Sequence, residues 1–507
     1  MLEQLQVSDP ISEIAGLQSA FLRSKPADER KALGQYFTSA NVSTYMASLL
    51  NSTGSRSVSI LDAGAGNGML TVSAALRLLE LGATKVHAVL YELDSSVASY
   101  LRETMTIAQA TFADRGAKFT YEVRLEDFVL SRPDRAQGKE LFDVAVINPP
   151  YFKYHVKISK YAKAVSDLYR GDPNIYASFM AIVMACLLPG GQMVSITPRS
   201  FTNGLYFKGF RLYLLDVASL EKLHIFKHRG KVFKNKDSAV LQENIISKFV
   251  KGACFGEVVV RSSDCDGSIS NAYEETYPVD LIVDPSNDQK LIRIPESADE
   301  ARILRQAECL PCTFSEAGYF VSTGPVVEHR TRNYITADIH HHESAVPLYR
   351  PHNITPLIGC WSGKHKKDVV FCLNEGFEKH LLENDTYVLI KRFSSKDERR
   401  RLVSAVHLKE SVACKYIGFG NKTNYVGVRT GELRKEEALG LAAVFNSSFM
   451  DRYFRTISGN TQVNATEVRV MRFPSRDQIL EIGKVINGLE SPDEALIDSI
   501  VNPILEI

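Results

Sequence analysis

Tryptophan is nearly absent from this 507-residue chain, Trp361 being the only one. Cysteine is scarce as well: the eight are scattered, and only Cys309 and Cys312 form a C-x-x-C. With no second pair nearby, neither a disulfide framework nor a zinc site is expected. Such free thiols suit a reducing cytosol, and a cytoplasmic protein is expected. Long hydrophobic runs are missing too. The longest apolar stretch, residues 176–188, is too short to span a bilayer and stops at Pro189-Gly190-Gly191, so it reads as a buried helix. No basic segment followed by an apolar one stands at the start, so no signal peptide is expected. Net charge is missing: 60 Lys+Arg against 59 Asp+Glu leave +1, which argues neither for nor against nucleic acid. There is no internal repeat and no low-complexity tract. What these absences leave is a globular protein with 45% hydrophobic and 23% charged residues and enough length for two buried cores.

What is present is organised. Asp9-Pro10 looks like a helix start, with Ile11, Ile14, Leu17 and Phe21 on one face. From residue 57 to about 250, strand-like segments (58–61, 85–91, 143–147, 192–197) alternate with helix-like ones (68–81, 95–110, 175–188). Residues 119–123 read as a further strand, and 239–241 with 244–250 as a closing pair. This alternation predicts an α/β fold with a doubly wound, mostly parallel sheet covered by helices. After about residue 255 short apolar runs are broken by Gly, Pro, Asn and Ser. The expected division is therefore 1–255, a catalytic domain with N-terminal helices, and 256–507, a domain of mixed α+β structure. The charged run 397–401 is expected on the surface, and His340-His341-His342 in a polar loop.

The chemistry gathers around Asn148-Pro149-Pro150-Tyr151, which follows the apolar run 144–147. An amide, two prolines and an aromatic ring at a strand's end make a compact pocket for a flat, amine-bearing ring, which points to a nucleobase. Taken alone, the tetrapeptide is a turn. It does not stand alone. Asp62-Ala63-Gly64-Ala65-Gly66-Asn67-Gly68 follows the first strand and opens a helix, where glycines admit a ligand close to the backbone. Met69 occupies the slot where a dinucleotide loop needs its third glycine, so a ligand without a pyrophosphate is expected. Glu92 ends the second strand, where a carboxylate can accept both hydroxyls of a ribose. Asp127-Phe128 follows the third, where an acid can accept from an adenine amine and a ring can pack on it. In series, these acids describe a nucleoside pocket along the carboxyl edge of the sheet. Basic charge is local: residues 199–236 carry nine Lys/Arg against two acids, and Lys153, Lys157, Lys160 and Lys163 follow the prolines.

In this order the motifs resemble the S-adenosylmethionine-dependent DNA methyltransferases that act on adenine N6, in the group with cofactor motifs first and a recognition domain last. Gly34-Gln35-Tyr36-Phe37-Thr38 is similar to that group's leading motif, and Val232-Phe233-Lys234 resembles a late motif carrying a second aromatic wall. The resemblance implies S-adenosylmethionine as cofactor, held by Tyr36, Thr38, Asp62, Gly64, Gly66, Glu92, Asp127, Phe128 and Asn148. It implies catalysis by Asn148, Pro149, Pro150, Tyr151 and Phe233 on a base flipped out of duplex DNA. Lys153, Lys157, Arg199, Lys231 and Lys234 would grip phosphates. Asn460, Gln462, Asn464 and Arg469 are the candidates for reading bases. No metal is implied.

Residues 445–449 and 458–467, with the overall layout, resemble the PstI/BsuBI group of type II modification enzymes. That likeness implies a palindromic target, CTGCAG, and a restriction endonuclease partner. The partner is expected to be a separate protein, because no Pro-Asp…Glu-x-Lys cluster is found and the early position of the Gly34 motif leaves no room for a preceding nuclease. A monomer that modifies each strand in turn is expected. The rival readings are methylation of RNA or of protein glutamine, which share Asn-Pro-Pro-Tyr, and a DNA-binding specificity module without catalysis.

Overall fold

A computed structural model describes residues 9–25, 37–135, 141–152, 159–171, 174–226, 243–263, 272–284, 288–338, 344–394, 398–459, 461–490 and 492–507. The chain divides into two compact units, Met1–Glu296 and Ser297–Ile507. The boundary expected at residue 255 is thus displaced, because two further strands after it join the first unit's sheet.

In the first unit α1 (Pro10–Ser24) starts where Asp9 accepts from the amides of Ile11 and Ser12, and it buries Ile14 and Phe21. The elements that follow are α2 (Ala40–Ser48), β1 (Ser57–Ala63), α3 (Met69–Glu80), β2 (Lys85–Tyr91), α4 (Ala98–Asp114) and β3 (Lys118–Arg124). Next come α5 (Phe128–Ser131), β4 (Phe142–Ile147), α6 (Lys160–Ala164), α7 (Ile175–Cys186) and β5 (Leu187–Pro198). The unit closes with α8 (Lys208–Val217), β6 (Ala218–Phe226), β7 (Asn244–Lys251), β8 (Glu257–Ser263) and β9 (Tyr273–Pro278). The nine strands form one sheet in the order β3-β2-β1-β4-β5-β7-β6-β8-β9. Strands β3, β2, β1, β4 and β5 run parallel, and β7 is antiparallel to both β5 and β6. β8 is parallel to β6, and β9 antiparallel to β8. The core beneath the parallel half joins Ile60, Val72, Val86, Leu101, Val144 and Val194. α7 is buried on nearly every side, as its unbroken apolar sequence requires. No helix among the described residues is long and apolar enough to cross a membrane.

Of the expected closing pair, 244–250 is the strand β7. β7 pairs with β5 and β6, while residues 239–241 lie outside the described residues. β6 carries Glu221, Lys222 and His224, which hide its strand character. Its polar side chains have partners inside: the ammonium of buried Lys248 meets Glu221 at 2.8 Å, and buried His224 sits between the hydroxyls of Tyr45 and Ser263.

The second unit is mixed α+β. One six-stranded sheet runs from Tyr319–Thr323 and Thr423–Val428 through Tyr387–Lys391 and Ser404–His407, and a five-stranded sheet contains Ala345–Tyr349, Val370–Cys372 and Tyr416–Phe419. Helices follow, among them Lys435–Asn446, Ser448–Ile457 and Arg476–Ile486. Segment 445–449 is the joint between two of them: buried Asn446 binds the backbone of Ser404, and Ser447 caps the next helix. Of the run 397–401, Asp397 lies outside the described residues, and the rest is only partly on the surface. Arg399 is exposed, but Arg401 is wholly buried, donating to the Ser458 carbonyl at 2.7 Å. Trp361 donates its indole N–H to the Val369 carbonyl.

Candidate active site

Because β1 to β4 are parallel, their carboxyl ends lie along one edge, and the four motif segments leave from it in turn. After β1 the chain turns through Gly64, Gly66 and Gly68, whose φ values are 82°, 56° and 84°. Only glycine takes that region without strain. The loop is stitched to β2 by the amides of Gly64 and Ala65, which both donate to the Tyr91 carbonyl at 2.9 Å. A Cβ at Gly66 would stand 3.0 Å from the Phe37 ring, and one at Gly68 2.7 Å from Met105. The glycines therefore serve packing as much as ligand approach.

Glu92 is buried, and both carboxylate oxygens are used. One accepts from the Gly66 amide at 2.8 Å, the other from the Asp94 amide at 2.8 Å. A carboxylate offers about four lone-pair sites, so acceptor capacity remains for a ligand. Burial raises the Glu92 carboxyl above its usual range. Asp62 lies wholly buried behind the loop. It accepts from the Thr71 hydroxyl at 2.6 Å, and its other oxygen has no hydrogen-bond partner among the described residues. Burial, with a smaller push from Glu92, lifts its pKa to about 7.

Asp127 does two things. One oxygen caps α5, accepting from the amides of Val129 and Leu130, and the other accepts from the Tyr161 hydroxyl at 2.9 Å. Tyr161, which the sequence did not single out, is pushed up to about 12 by burial and that carboxylate. Phe128 packs edge-on to Tyr91 and tilted on Phe179, with ring centroids 5.0 and 5.3 Å away.

These residues enclose a cavity of about 280 Å³, lined by Phe37, Gly64, Gly66, Glu92, Asp127, Phe128, Asn148, Pro150, Tyr161 and Phe179 among others. Its walls are rings and its polar groups are mostly carboxylates, a match for an aromatic ring joined to hydroxyl-bearing and cationic groups. Asn148 leaves β4 at the rim. Its Nδ2 donates to the Thr38 hydroxyl at 3.0 Å, and its Oδ1 accepts from the Tyr151 hydroxyl at 2.8 Å. Tyr151 also lies 3.1 Å from the Ile196 carbonyl and edge-on to Tyr176. Pro149 is buried.

Thus the structure brings together Thr38, Asp62, Gly64, Gly66, Glu92, Asp127, Phe128 and the Asn148–Tyr151 segment. Tyr36, Phe233, Lys153, Lys157, Lys231, Lys234 and Asn460 lie outside the described residues. Arg199 is a correction. It is buried between Glu243 at 3.3 Å and Glu296 at 3.1 Å, so its charge is spent inside the unit and not offered to a phosphate. In the second unit Asn464 donates to Glu467 as a helix cap, Gln462 accepts from Arg392, and Arg469 donates to the Val321 carbonyl. The fold uses all three, so they are poorly placed as free readers of bases. Cys309 and Cys312 are free thiols. Among the described residues, His352, His365 and Asp368 hold ligand-type atoms within 4.8 Å of one another. The Asp368 carboxylate is already filled by Asn353, His352 and the His365 amide, and it fastens that loop.

A parallel sheet with a glycine loop, a strand-end carboxylate and Asn-Pro-Pro-Tyr along one edge defines a class, the S-adenosylmethionine-dependent methyltransferases. Comparison with known proteins narrows it. The chain is 36% identical over 485 residues to the type II methyltransferase M.BsuBI of Bacillus subtilis, covering 94% of each. It is 34% identical over 484 residues to M.PstI of Providencia stuartii, again covering 94% of each. Residues 84–233 match the Eco57I restriction-modification methylase family. Among solved structures, the type IIL restriction-modification enzyme MmeI in complex with DNA shares the fold, with a TM-score of 0.56 at 10% identity over 98% of this chain and 75% of that one. The chain belongs to the type II methyltransferases of restriction–modification systems. It is a DNA methyltransferase, and its methyl donor is S-adenosylmethionine.

Proposed function

We propose that the enzyme methylates adenine N6 at a specific site in duplex DNA, on a base flipped into the pocket beside Asn148. The observation that carries this reading is the Asn148 amide, held at both ends on the rim of the cofactor cavity. Bound S-adenosylmethionine supplies an electrophilic sulfonium methyl. The chain's residues then have defined tasks. The Asn148 Oδ1 and the Pro149 carbonyl each accept one N–H of the amine. This draws its lone pair out of conjugation and aims it at the donor. Proline lacks an N–H, so it presents only an acceptor there. The Tyr151 ring offers a stacking face that offsets the cost of flipping, roughly a few kcal/mol. For the cofactor, Glu92 takes hydroxyls with its remaining lone pairs, and Asp127 and Phe128 meet the adenine end.

Sequence reading belongs to the second unit, and CTGCAG is the proposed target on the likeness to the PstI/BsuBI group. A separate restriction endonuclease cuts the unmodified site. The enzyme acts as a monomer in the cytoplasm, one strand at a time. In a methyl-transfer assay with duplex DNA, RNA and protein acceptors, only DNA is expected to accept. Asn148→Ala is expected to abolish transfer while cofactor binding persists. Transfer by that variant near the wild-type rate, or to RNA or protein in preference to DNA, refutes the reading.

A further inference from the structure

An enzyme that acts on duplex DNA must hold a polyanion, yet the whole chain carries a net charge of only +1. The grip must come from a local excess of cations. Arg199 does not supply it, because Glu243 and Glu296 hold its charge inside the first unit. In the second unit Asn464 is used as a helix cap, and Arg469 is used by the Val321 carbonyl.

We propose that a cleft in the second unit, bounded by the segments 328–335 and 421–422, grips the phosphate backbone of the duplex, with Arg332 and Lys422 as the contacting cations. The cleft measures about 390 Å³, and His329, Arg332, Arg350 and Lys422 line it against one carboxylate, Glu328. Arg350 donates to that carboxylate at 3.1 Å and to the Lys367 carbonyl at 3.3 Å. The charges of Arg350 and Glu328 therefore offset each other. Arg332 and Lys422 are exposed, and among the described residues neither side chain has a hydrogen bond or an ion pair. They are the uncompensated charge of the cleft. A second arginine-lined cleft of the same unit differs. There Arg399 and Arg400 meet Glu494, and Arg455 meets Asp451, so its cations are largely answered by its own acids.

Both sides of the cleft are fixed by the fold. Buried Thr331 donates its hydroxyl to the Val327 carbonyl at 3.1 Å, and the amides of Arg330 and Thr331 donate to the same oxygen. On the other side a turn joins the strands Tyr416–Phe419 and Thr423–Val428, closed by the Thr423 amide on the Gly420 carbonyl at 2.9 Å. The two sides are tied together where the Asn421 amide donates to the Val326 carbonyl at 2.8 Å. Arg392 holds the turn as well, donating to the Asn421 carbonyl at 3.0 Å and to Gln462 at 3.1 Å. A guanidinium only donates, so these bonds have one sense, and Gln462 is the anchor of that arginine. Arg332 and Lys422 thus stand on a preorganised rim, which lowers the cost of ordering the backbone on binding.

The proposal rests on the reading that the second unit engages the duplex, and the experiment separates the two. Fluorescence anisotropy follows binding of a short duplex carrying CTGCAG, and of one with that site scrambled, over a range of salt. With Arg332→Ala and Lys422→Ala combined, Kd is expected to rise for both duplexes alike, by roughly 10-fold per lost contact at about 0.1 M salt. The slope of log Kd against log salt is expected to shrink by about 0.9 per contact. Arg332→Lys combined with Lys422→Arg keeps both charges and is expected to keep the wild-type slope. A wild-type Tm reports that each variant folds. A wild-type Kd and slope in the double alanine variant overturn the proposal, as when the cleft takes an acidic protein instead. A loss confined to the CTGCAG duplex also overturns it, since the two residues would then read bases. Wild-type protein that binds neither duplex sinks the underlying reading.

Discussion

Replacing Glu92 by Gln separates two roles that the structure assigns to one carboxylate. Its oxygens hold the Gly66 and Asp94 amides, each at 2.8 Å, and the group lies buried at the edge of the cofactor cavity. Glutamine keeps one carbonyl oxygen and puts an NH₂ in place of the other. Whichever way it turns, a backbone donor then faces a side-chain donor. A hydrogen bond to a charged group contributes about 1.5–3 kcal/mol, so the loop loses on this order of stability. If the remaining lone pairs also take cofactor hydroxyls, a second loss of about the same size falls on binding. That corresponds to roughly a 10- to 100-fold rise in Kd. Calorimetric titration with S-adenosylmethionine reads the second loss, and thermal unfolding without ligand reads the first. A lowered Tm with unchanged Kd would refute the ligand role and leave Glu92 as a loop fastener only.

Two further outcomes follow from buried charges. Asp62 is pushed up to about 7 in the fold, whereas an unfolded carboxyl ionises near ~4. Between those values the folded state binds more protons, so stability falls as pH rises through the window. Asp62→Asn removes this dependence, and its Tm relative to wild type is expected to rise between pH 5 and pH 8. A difference independent of pH would mean that Asp62 is already ionised. Arg199→Ala leaves Glu243 and Glu296 buried without that cation, and about 3–5 kcal/mol of stability is expected to go, read by urea unfolding. The salt dependence of DNA binding is expected not to change. A shallower salt slope at full stability would restore the phosphate role.

The parallel half of the sheet was legible because its signals are local. Apolar runs at β1, β2 and β4, each ending in a loop residue with a clear chemical use, can be read without knowing neighbours. The antiparallel half was not. β6 and β7 bury Lys248 and His224, and such residues look like surface until their partners are placed. The same blindness counted Arg199 among free cations, although one of its carboxylates lies 97 positions along the chain. The site divides in the same way. Asn148, Glu92 and Asp127 announce themselves by type and place. Thr38 as a hold on Asn148, and Tyr161 as a cover on Asp127, are pairings across the fold that no spacing reveals. In the second unit, Asn464 and Arg469 carry the right groups for bases, and the fold has used them for a cap and a backbone carbonyl.

The central claim is adenine methylation at a defined DNA site. The most direct measurement is to express the chain in a host that lacks DNA methylation and read its genomic DNA for modified bases. The account predicts N6-methyladenine at one palindromic hexamer, on both strands, and its loss with Asn148→Ala. Methylated cytosine, scattered adenine methylation without a common site, or unmodified DNA from a host making folded, cofactor-binding protein would contradict it.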